Sequence, residues 1–277
     1  MGRTGLYIAL GIGAVTGVVF GFFPELDLRI SRVFYDFVIG DNHFGWRIYP
    51  PLMVARDAGL WVGVLIIVPV LLALLFKLIV PRRRSIVSGR AVLFLTATLA
   101  LGPGMLVNVV LKDHWHRPRP IDIVQFGGSE HFVPWWDPRG DCPNNCAFVS
   151  GDVSGAFWTI APAVLVPTPL RAVAIGAALA LGTGMAVVRV MAGAHAASDV
   201  IFAGVFTFLV IWLGYALIYR WPSTRLSEER SERRLERFSA RWRRAMAWFG
   251  YRVATEIAGP DGDGDDDPKV RRRSGWW

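Results

Sequence analysis

Charged side chains are scarce in this sequence. They make up 19% of its 277 residues, whereas 53% of the residues are hydrophobic. Soluble domains carry about a quarter charged residues, so the composition argues against a soluble globular protein and indicates that the bilayer is the solvent. Basic residues outnumber acidic ones by 30 to 22, but they cluster beside apolar runs and near the carboxyl end. That pattern favours attraction to anionic lipid and argues against a nucleic-acid-binding surface.

Cysteine is almost absent. Cys142 and Cys146 are the only two, and they lie four residues apart in one polar segment. Two thiols are too few to hold a metal ion on their own, which argues against a metal centre. In an oxidising compartment the Cys142-Pro-Asn-Asn-Cys146 stretch can close a small disulfide, and free thiols are the alternative.

A cleavable signal peptide also has no support in the sequence. The first apolar stretch, 6–23, lacks a small-residue cleavage site and runs directly into Pro24 and Glu25. We therefore expect it to be an uncleaved membrane-spanning helix.

Long apolar runs are present instead. A helix needs about 20 apolar residues to cross the hydrocarbon core, and Pro167 and Pro169 separate two of the runs. We predict an all-α integral membrane bundle of six transmembrane helices, which together form a domain over residues 1–220. The six stretches are 5–23, 58–80, 89–111, 152–168, 171–188 and 199–219.

Positive charge predicts the orientation of this bundle. Arg3, the basic stretch 81–84 and Arg220 flank the ends that share one side of the membrane. By the positive-inside rule this side is cytoplasmic, so both termini are expected inside a bacterial inner membrane. Segments 24–57, 112–151 and 189–198 then face outward. An apolar face at helical spacing over residues 26–38 indicates an interfacial helix in the first of them.

The carboxyl-terminal tail has two parts. Residues 221–258 read as a basic amphipathic helix that lies on the cytoplasmic membrane surface and attracts anionic lipid, with a partner-binding helix as the alternative. Residues 259–277 read as a disordered charged end. Its aspartate-rich run lacks the glycine and the final glutamate of a calcium-binding loop.

Three polar clusters, 112–120, 148–154 and 189–199, adjoin the outward ends of the predicted spans. Taken singly, a cation there is typical of an interfacial anchor, a Ser-Gly pair of a helix cap, and a histidine of a packed polar residue. Independent anchors have no need to share one side of the membrane, each beside a span. The common placement therefore favours one functional site.

The residue types in these clusters suit an oxyanion. Lys112, Arg119 and Arg189 are cations, and guanidinium groups bind phosphate oxygens with two hydrogen bonds. Ser150 and Gly151 immediately precede a predicted helix, whose first N–H groups attract anions. This combination predicts a phosphate-binding cradle.

His195 and Asp199 add a reactive group to the cradle. They lie four residues apart, which puts them on one face of a helical turn and allows the carboxylate to hold the imidazole in one tautomer. An oriented histidine beside a phosphate cradle is typical of nucleophilic phosphoryl transfer.

The spacing of these residues resembles the three-part signature of the type 2 phosphatidic acid phosphatase and vanadium haloperoxidase superfamily. The matching pattern is Lys112-x6-Arg119-Pro120, then Ser150-Gly151, then Arg189-x5-His195-x3-Asp199, within a core of residues 89–220. The resemblance implies catalysis without a metal or other cofactor. His195 would attack phosphorus to form a phosphohistidine, Asp199 would orient it, and the remaining matched residues would hold the phosphoryl oxygens.

Two positions depart from the family pattern. Val188 replaces a serine, and Asp152 replaces the histidine that protonates the leaving group and then activates water. We expect Asp152 to take this role, because a carboxyl group in a low-dielectric site can have its pKa raised into the working range. The alternatives are His114 or His116 from across the cleft, or a relative that binds phospholipid without turnover.

The substrate is expected to be a membrane lipid phosphate whose head group projects outward. Stretches 142–152 and 27–36 resemble the lipid A phosphatase branch of the family, which makes lipid A the favoured substrate. Phosphatidylglycerophosphate, phosphatidic acid and undecaprenyl pyrophosphate are the alternatives. A transporter is disfavoured because its ionisable residues should lie at mid-membrane, and a haloperoxidase because those relatives are soluble.

Overall fold

A computed structural model of the protein describes residues 1–39, 43–79 and 88–224 and scattered positions from 227 to 248. Helices are the main elements of this described part, and two single-turn helices, Pro120–Asp122 and Val124–Phe126, lie in the long loop that leads to α5. The principal helices are α1 Arg3–Phe22, α2 Glu25–Tyr35, α3 Pro50–Ile79, α4 Gly89–His114, α5 Gly151–Trp158, α6 Ile160–Ala163, α7 Thr168–Met191 and α8 Ala197–Arg220.

Five of the described helices are long and apolar enough to cross a membrane: α1, α3, α4, α7 and α8. The predicted all-α membrane bundle is thus confirmed, with one difference. The stretch predicted as a fourth span, 152–168, forms only α5 and α6 and turns at Val164 before Pro167. This short unit is largely buried among the other helices, so its length is not set by the thickness of the hydrocarbon.

The core of the bundle has two layers. Beneath the three polar clusters, Val107, Phe148, Val153 and Phe202 pack together. Farther along the bundle, a second group centred on Trp158 fills the space between α4, α5, α7 and α8. Indole–hydroxyl and hydroxyl–hydroxyl hydrogen bonds connect helices within the core, as bilayer-embedded polar groups require, from Trp158 Nε1 to Thr98 Oγ1 at 3.1 Å and between Ser154 and Thr207 at 2.6 Å.

Two glycines allow the central helix to lie close to its neighbours. A Cβ atom on Gly182 would lie 2.5 Å from the ring of Phe157, and one on Gly204 would lie 2.9 Å from the same ring. α7 and α8 therefore both pack closely against the Phe157 ring of α5.

The helix expected over residues 26–38 is present as α2. Its Asp27 and Ser31 are buried, so the helix packs its polar side against the bundle rather than only lying on a membrane surface. Residues 259–277, the basic stretch 81–84 and much of the predicted tail helix lie outside the described residues. The domain bounds, the position of the termini and the anionic-lipid contact of the tail stay predictions.

Candidate active site

The three predicted clusters come together at one end of the bundle. Lys112, Arg119 and Arg189 all lie close enough to His195 to act on its imidazole electrostatically. Asp152 acts in the same way on Lys112 and Arg189. Residues that are up to 83 positions apart, from Lys112 to His195, therefore form one site.

His195 is buried, and its ring has a defined hydrogen-bond partner. Nδ1 lies 2.8 Å from the carbonyl oxygen of Ala147. A carbonyl only accepts, so Nδ1 carries the proton and Nε2 keeps its lone pair. Burial, followed by the charges of Arg189 and Arg119, lowers the pKa of His195 well below its usual value. The imidazole is therefore neutral at pH 7 and presents a nucleophilic nitrogen.

The segment that supplies this carbonyl is fixed by the disulfide loop. A disulfide joins Cys142 and Cys146, and Ala147 directly follows it, with its N–H bound to the Arg117 carbonyl at 2.8 Å. Residues 146–150 are buried throughout. The position of the His195 partner thus depends on a loop that is closed covalently.

Asn145 in the same loop joins two of the predicted phosphate ligands. Its side-chain oxygen accepts from Lys112 Nζ at 3.0 Å, and its carbonyl accepts from Arg119 Nη2 at 2.8 Å. Asn145 has a positive φ of 51°, a conformation that asparagine tolerates better than most residues. Sequence reasoning did not single out Asn145, because nothing in its local pattern marks a ligand of cations.

Asp199 has a different contact from the expected one. The expectation was that its carboxylate holds the imidazole directly, but the Nδ1 partner of His195 is the Ala147 carbonyl. Asp199 Oδ2 instead accepts the backbone N–H of Ala196 at 2.8 Å. The carboxylate thereby fixes the turn next to His195 at the start of α8, and it does so through the backbone.

A buried guanidinium lies behind this turn. Arg117 hydrogen-bonds Asp199 and, at 2.8 Å each, Asp27 and the hydroxyl of Ser198. Burial opposes its charge, but Asp199 and Asp27 outweigh burial and raise the pKa of Arg117. Asp27 also accepts the backbone N–H of Ser198 at 2.9 Å.

In the sequence, Arg117 has the pattern of an interfacial anchor like the other cations of cluster 112–120, and Asp27 is only part of the 27–36 stretch. The signals that could have found them are their positions inside two motifs, five residues after Lys112 and at the start of the 27–36 stretch. Their contact itself could not be read from spacing.

Asp152 lies beside the cradle, between two arginines. Its Oδ2 is 3.2 Å from Arg189 Nε and 3.4 Å from Arg56 Nε. Within the described part of the chain, Arg189 Nε has no partner with hydrogen-bond geometry. The two alternative histidines are engaged with backbone carbonyls, His114 Nδ1 with Val110 and His116 Nδ1 with Cys142.

Ser150 and Gly151 begin α5 as predicted, with distinct roles. The Ser150 hydroxyl is buried and caps the helix by accepting the Val153 N–H at 3.4 Å. A Cβ on Gly151 would lie 2.8 Å from Asn108 Oδ1 and 3.4 Å from Lys112 Nζ. A side chain at position 151 would displace Asn108, because the start of α5 approaches α4 at the level of the cradle.

Among the residues that the structure describes, no group of three or more His, Cys, Asp or Glu side chains could hold a metal ion.

The sequence is similar to those of known proteins. A model of the PAP2 superfamily matches residues 90–223. The chain is 33% identical over 232 residues to the Lipid A 4'-phosphatase of Francisella tularensis subsp. novicida (strain U112), an overlap of 79% of this chain and 98% of that protein. It is 43% identical over 104 residues to the Lipid A 4'-phosphatase of Rhizobium leguminosarum, which covers 38% of this chain and 45% of that protein. No solved structure matches the chain significantly.

The family match covers α4 to α8, and so includes every residue of the three clusters. The match to the Francisella protein extends over nearly the whole of that protein. Both agree with the resemblance drawn from the motifs. The chain therefore belongs to the PAP2 superfamily.

Proposed function

We propose that this protein hydrolyses a phosphate monoester of lipid A at the outer face of the inner membrane, through a phosphohistidine at His195. As a member of the PAP2 superfamily with five candidate membrane-spanning helices, it is a membrane lipid phosphatase. The single observation that carries the mechanism is the neutral, buried His195, whose Nδ1–H donates to the Ala147 carbonyl and which has three cations around it. Relatives named Lipid A 4'-phosphatase support the substrate.

In the first step, Nε2 of His195 attacks phosphorus while the ester P–O bond breaks. Lys112, Arg119 and Arg189 hold the phosphoryl oxygens and offset the charge that develops on them. The imidazole gains positive charge as the N–P bond forms. The Ala147 carbonyl stabilises that charge through the Nδ1–H hydrogen bond.

Asp152 supplies the proton to the leaving oxygen and then takes one from the water that hydrolyses the phosphohistidine. Its contact with Arg189 puts it beside the cradle, which favours it over His114 and His116. The test is the pH–rate profile of Asp152→Asn, with Asp152→Glu as the conservative variant. Unchanged turnover and an unchanged profile in Asp152→Asn would remove Asp152 from the mechanism.

The periplasmic side is proposed for the site. The disulfide beside it forms and persists in an oxidising compartment, and the basic residues at positions 82–84 and 220 favour the cytoplasm for the opposite end. Labelling of Ser129→Cys, at an exposed position in the loop beyond α4, with a membrane-impermeant thiol reagent on intact spheroplasts tests this. Labelling only after permeabilisation would reverse the orientation.

The substrate is tested by phosphate release from lipid A, phosphatidylglycerophosphate, phosphatidic acid and undecaprenyl pyrophosphate in detergent with EDTA. We expect lipid A to be cleaved fastest. His195→Ala should abolish release, while His131→Ala, at an exposed position, should retain it. Preference for another lipid would reassign the substrate, and no release from any lipid would favour a binding protein without turnover.

A further inference from the structure

A cavity of about 380 Å³ adjoins the phosphate cradle. It shares Arg119 and Arg189 with the cradle and extends away from it, toward the start of α3. Arg47 and Arg56 line the far part, and Trp46 and Leu52 contribute an apolar wall. Its size and its mixture of aromatic, apolar and a few charged groups are those of a small-molecule site.

This cavity holds more positive charge than one phosphate requires. Lys112, Arg119 and Arg189 already give the cradle three cations for a phosphate monoester, whose charge is about −1.5 to −2 at pH 7. Arg47 and Arg56 add two more, and both act electrostatically on Arg189. Like charges at close range destabilise one another unless an anion lies among them.

The protein neutralises only part of this surplus. Arg56 lies 3.4 Å from Asp152 and 3.7 Å from Asp57. Within the described residues, the side chain of Arg47 makes neither an ion pair nor a hydrogen bond, although Arg47 lines the cavity. Arg32, on the same outer segment, is also exposed but does not line the cavity, so the clustering is specific to the cavity wall.

We propose that Arg47 and Arg56 bind a second anionic group of the substrate head group, a phosphate or a carboxylate, while the first phosphate occupies the cradle. A guanidinium matches either anion with two parallel hydrogen bonds. The inference rests on the proposed lipid phosphatase function. It makes the enzyme selective for head groups with two anionic groups over those with one.

The test compares paired lipids in neutral detergent micelles. Lipid A with two phosphates is compared with its form that keeps only the cleavable phosphate, and phosphatidylglycerophosphate is compared with phosphatidic acid. Wild type should cleave the doubly anionic member of each pair with the higher kcat/KM. Arg47→Gln should lower kcat/KM for that member by about tenfold, mainly through KM, since hydrogen bonds to charged groups are lost. It should leave the singly phosphorylated member nearly unchanged.

Arg47→Gln is the more selective test. Arg56 also contacts Asp152, so Arg56→Gln should lower kcat/KM for both members of a pair and also change the ratio between the two values. Arg32→Gln is the matched control and should match wild type. Binding of the same lipids to His195→Ala, which does not turn over, gives the comparison independently of catalysis. If lipid A is not cleaved, the proposed substrate fails, while the second lipid pair and the binding series still decide on the cavity.

Equal losses on both members of a pair, or no loss on either, would overturn the second-anion site. A loss that appears only when anionic lipid is added to the micelles would also overturn it, because Arg47 would then contact the membrane surface rather than the substrate.

Discussion

Arg117 and Asp27 form a buried ion pair, with Arg117 Nη2 2.8 Å from Asp27 Oδ2, although 90 residues separate them in the chain. The pair connects α2 to the loop after α4, and through Ser198 and Asp199 it reaches the start of α8. His195 lies on the turn that this network holds. The segment before α3 is thus part of the framework that holds the turn with His195.

Removal of Arg117 should destabilise the fold. Arg117→Gln leaves Asp27 and Asp199 buried without their cation, and breaking such a pair costs about 3–5 kcal/mol. The midpoint of thermal unfolding in detergent should fall strongly. The control is Arg139→Gln, which removes an exposed arginine paired with Asp137 and should change the midpoint little. An Arg117→Gln protein as stable as wild type would mean that the network contributes little to folding.

Reduction of the Cys142–Cys146 disulfide should lower activity. The loop positions Asn145 against Lys112 and Arg119, and it leads directly to the Ala147 carbonyl that orients His195. Opening it removes about 2 kcal/mol of loop-closure stabilisation and should lower kcat by about tenfold, because small displacements of catalytic groups have large effects.

The measurement is turnover before and after dithiothreitol, with the Cys142→Ser/Cys146→Ser protein as the control that dithiothreitol should not change. Asn145→Ala keeps the disulfide, and it should lower activity if the contacts with Lys112 and Arg119 matter. Full activity in the reduced wild type would assign the disulfide to stability alone.

A methyl group at position 151 should impair the cradle. In Gly151→Ala the new Cβ would lie 2.8 Å from Asn108 Oδ1, and the Asn108 side chain is tied to the Pro103 carbonyl at 2.6 Å. We expect at least about a tenfold loss of kcat/KM from the displaced cradle. Gly155→Ala, where a Cβ meets nothing within 4 Å, is the control on the same helix. Partial recovery in Gly151→Ala/Asn108→Ala would identify the clash as the cause.

The motif residues could be predicted because their chemistry is written in local spacing. Lys112 and Arg119 adjoin one predicted span, and Arg189, His195 and Asp199 lie between two others, so the spacing placed them at one end of the bundle. The Arg117–Asp27 pair could not be predicted in this way. A cation at a span end has the same local pattern whether it faces lipid headgroups or a buried carboxylate, and only the packing of α2 decides.

The length of α5 illustrates a second limit. Its apolar composition is that of a spanning helix, but the surrounding helices enclose it, and composition does not distinguish a lipid-facing helix from one buried in protein. The partner of His195 shows a third. A backbone carbonyl such as that of Ala147 has no sequence signature, whereas the aspartate four residues from His195 is visible in the sequence, so the sequence predicts Asp199 as the partner of the imidazole.

The neutral state of His195 should make the stability of the fold depend on pH below about 6.5. Burial, Arg189, Arg119 and Lys112 lower its pKa in the folded protein, while the unfolded chain protonates it near 6.5. Between these two values the unfolded state binds one more proton, so stability falls as pH falls, by up to about 1.4 kcal/mol per pH unit. Above 6.5 both states are neutral, and this contribution vanishes.

Unfolding midpoints of wild type and His195→Gln, measured from pH 8 to pH 5, should therefore run parallel above 6.5 and diverge below it, with the wild type falling more steeply. Parallel curves over the whole range would mean that His195 has the same pKa in the folded and unfolded states, which would contradict its burial among three cations.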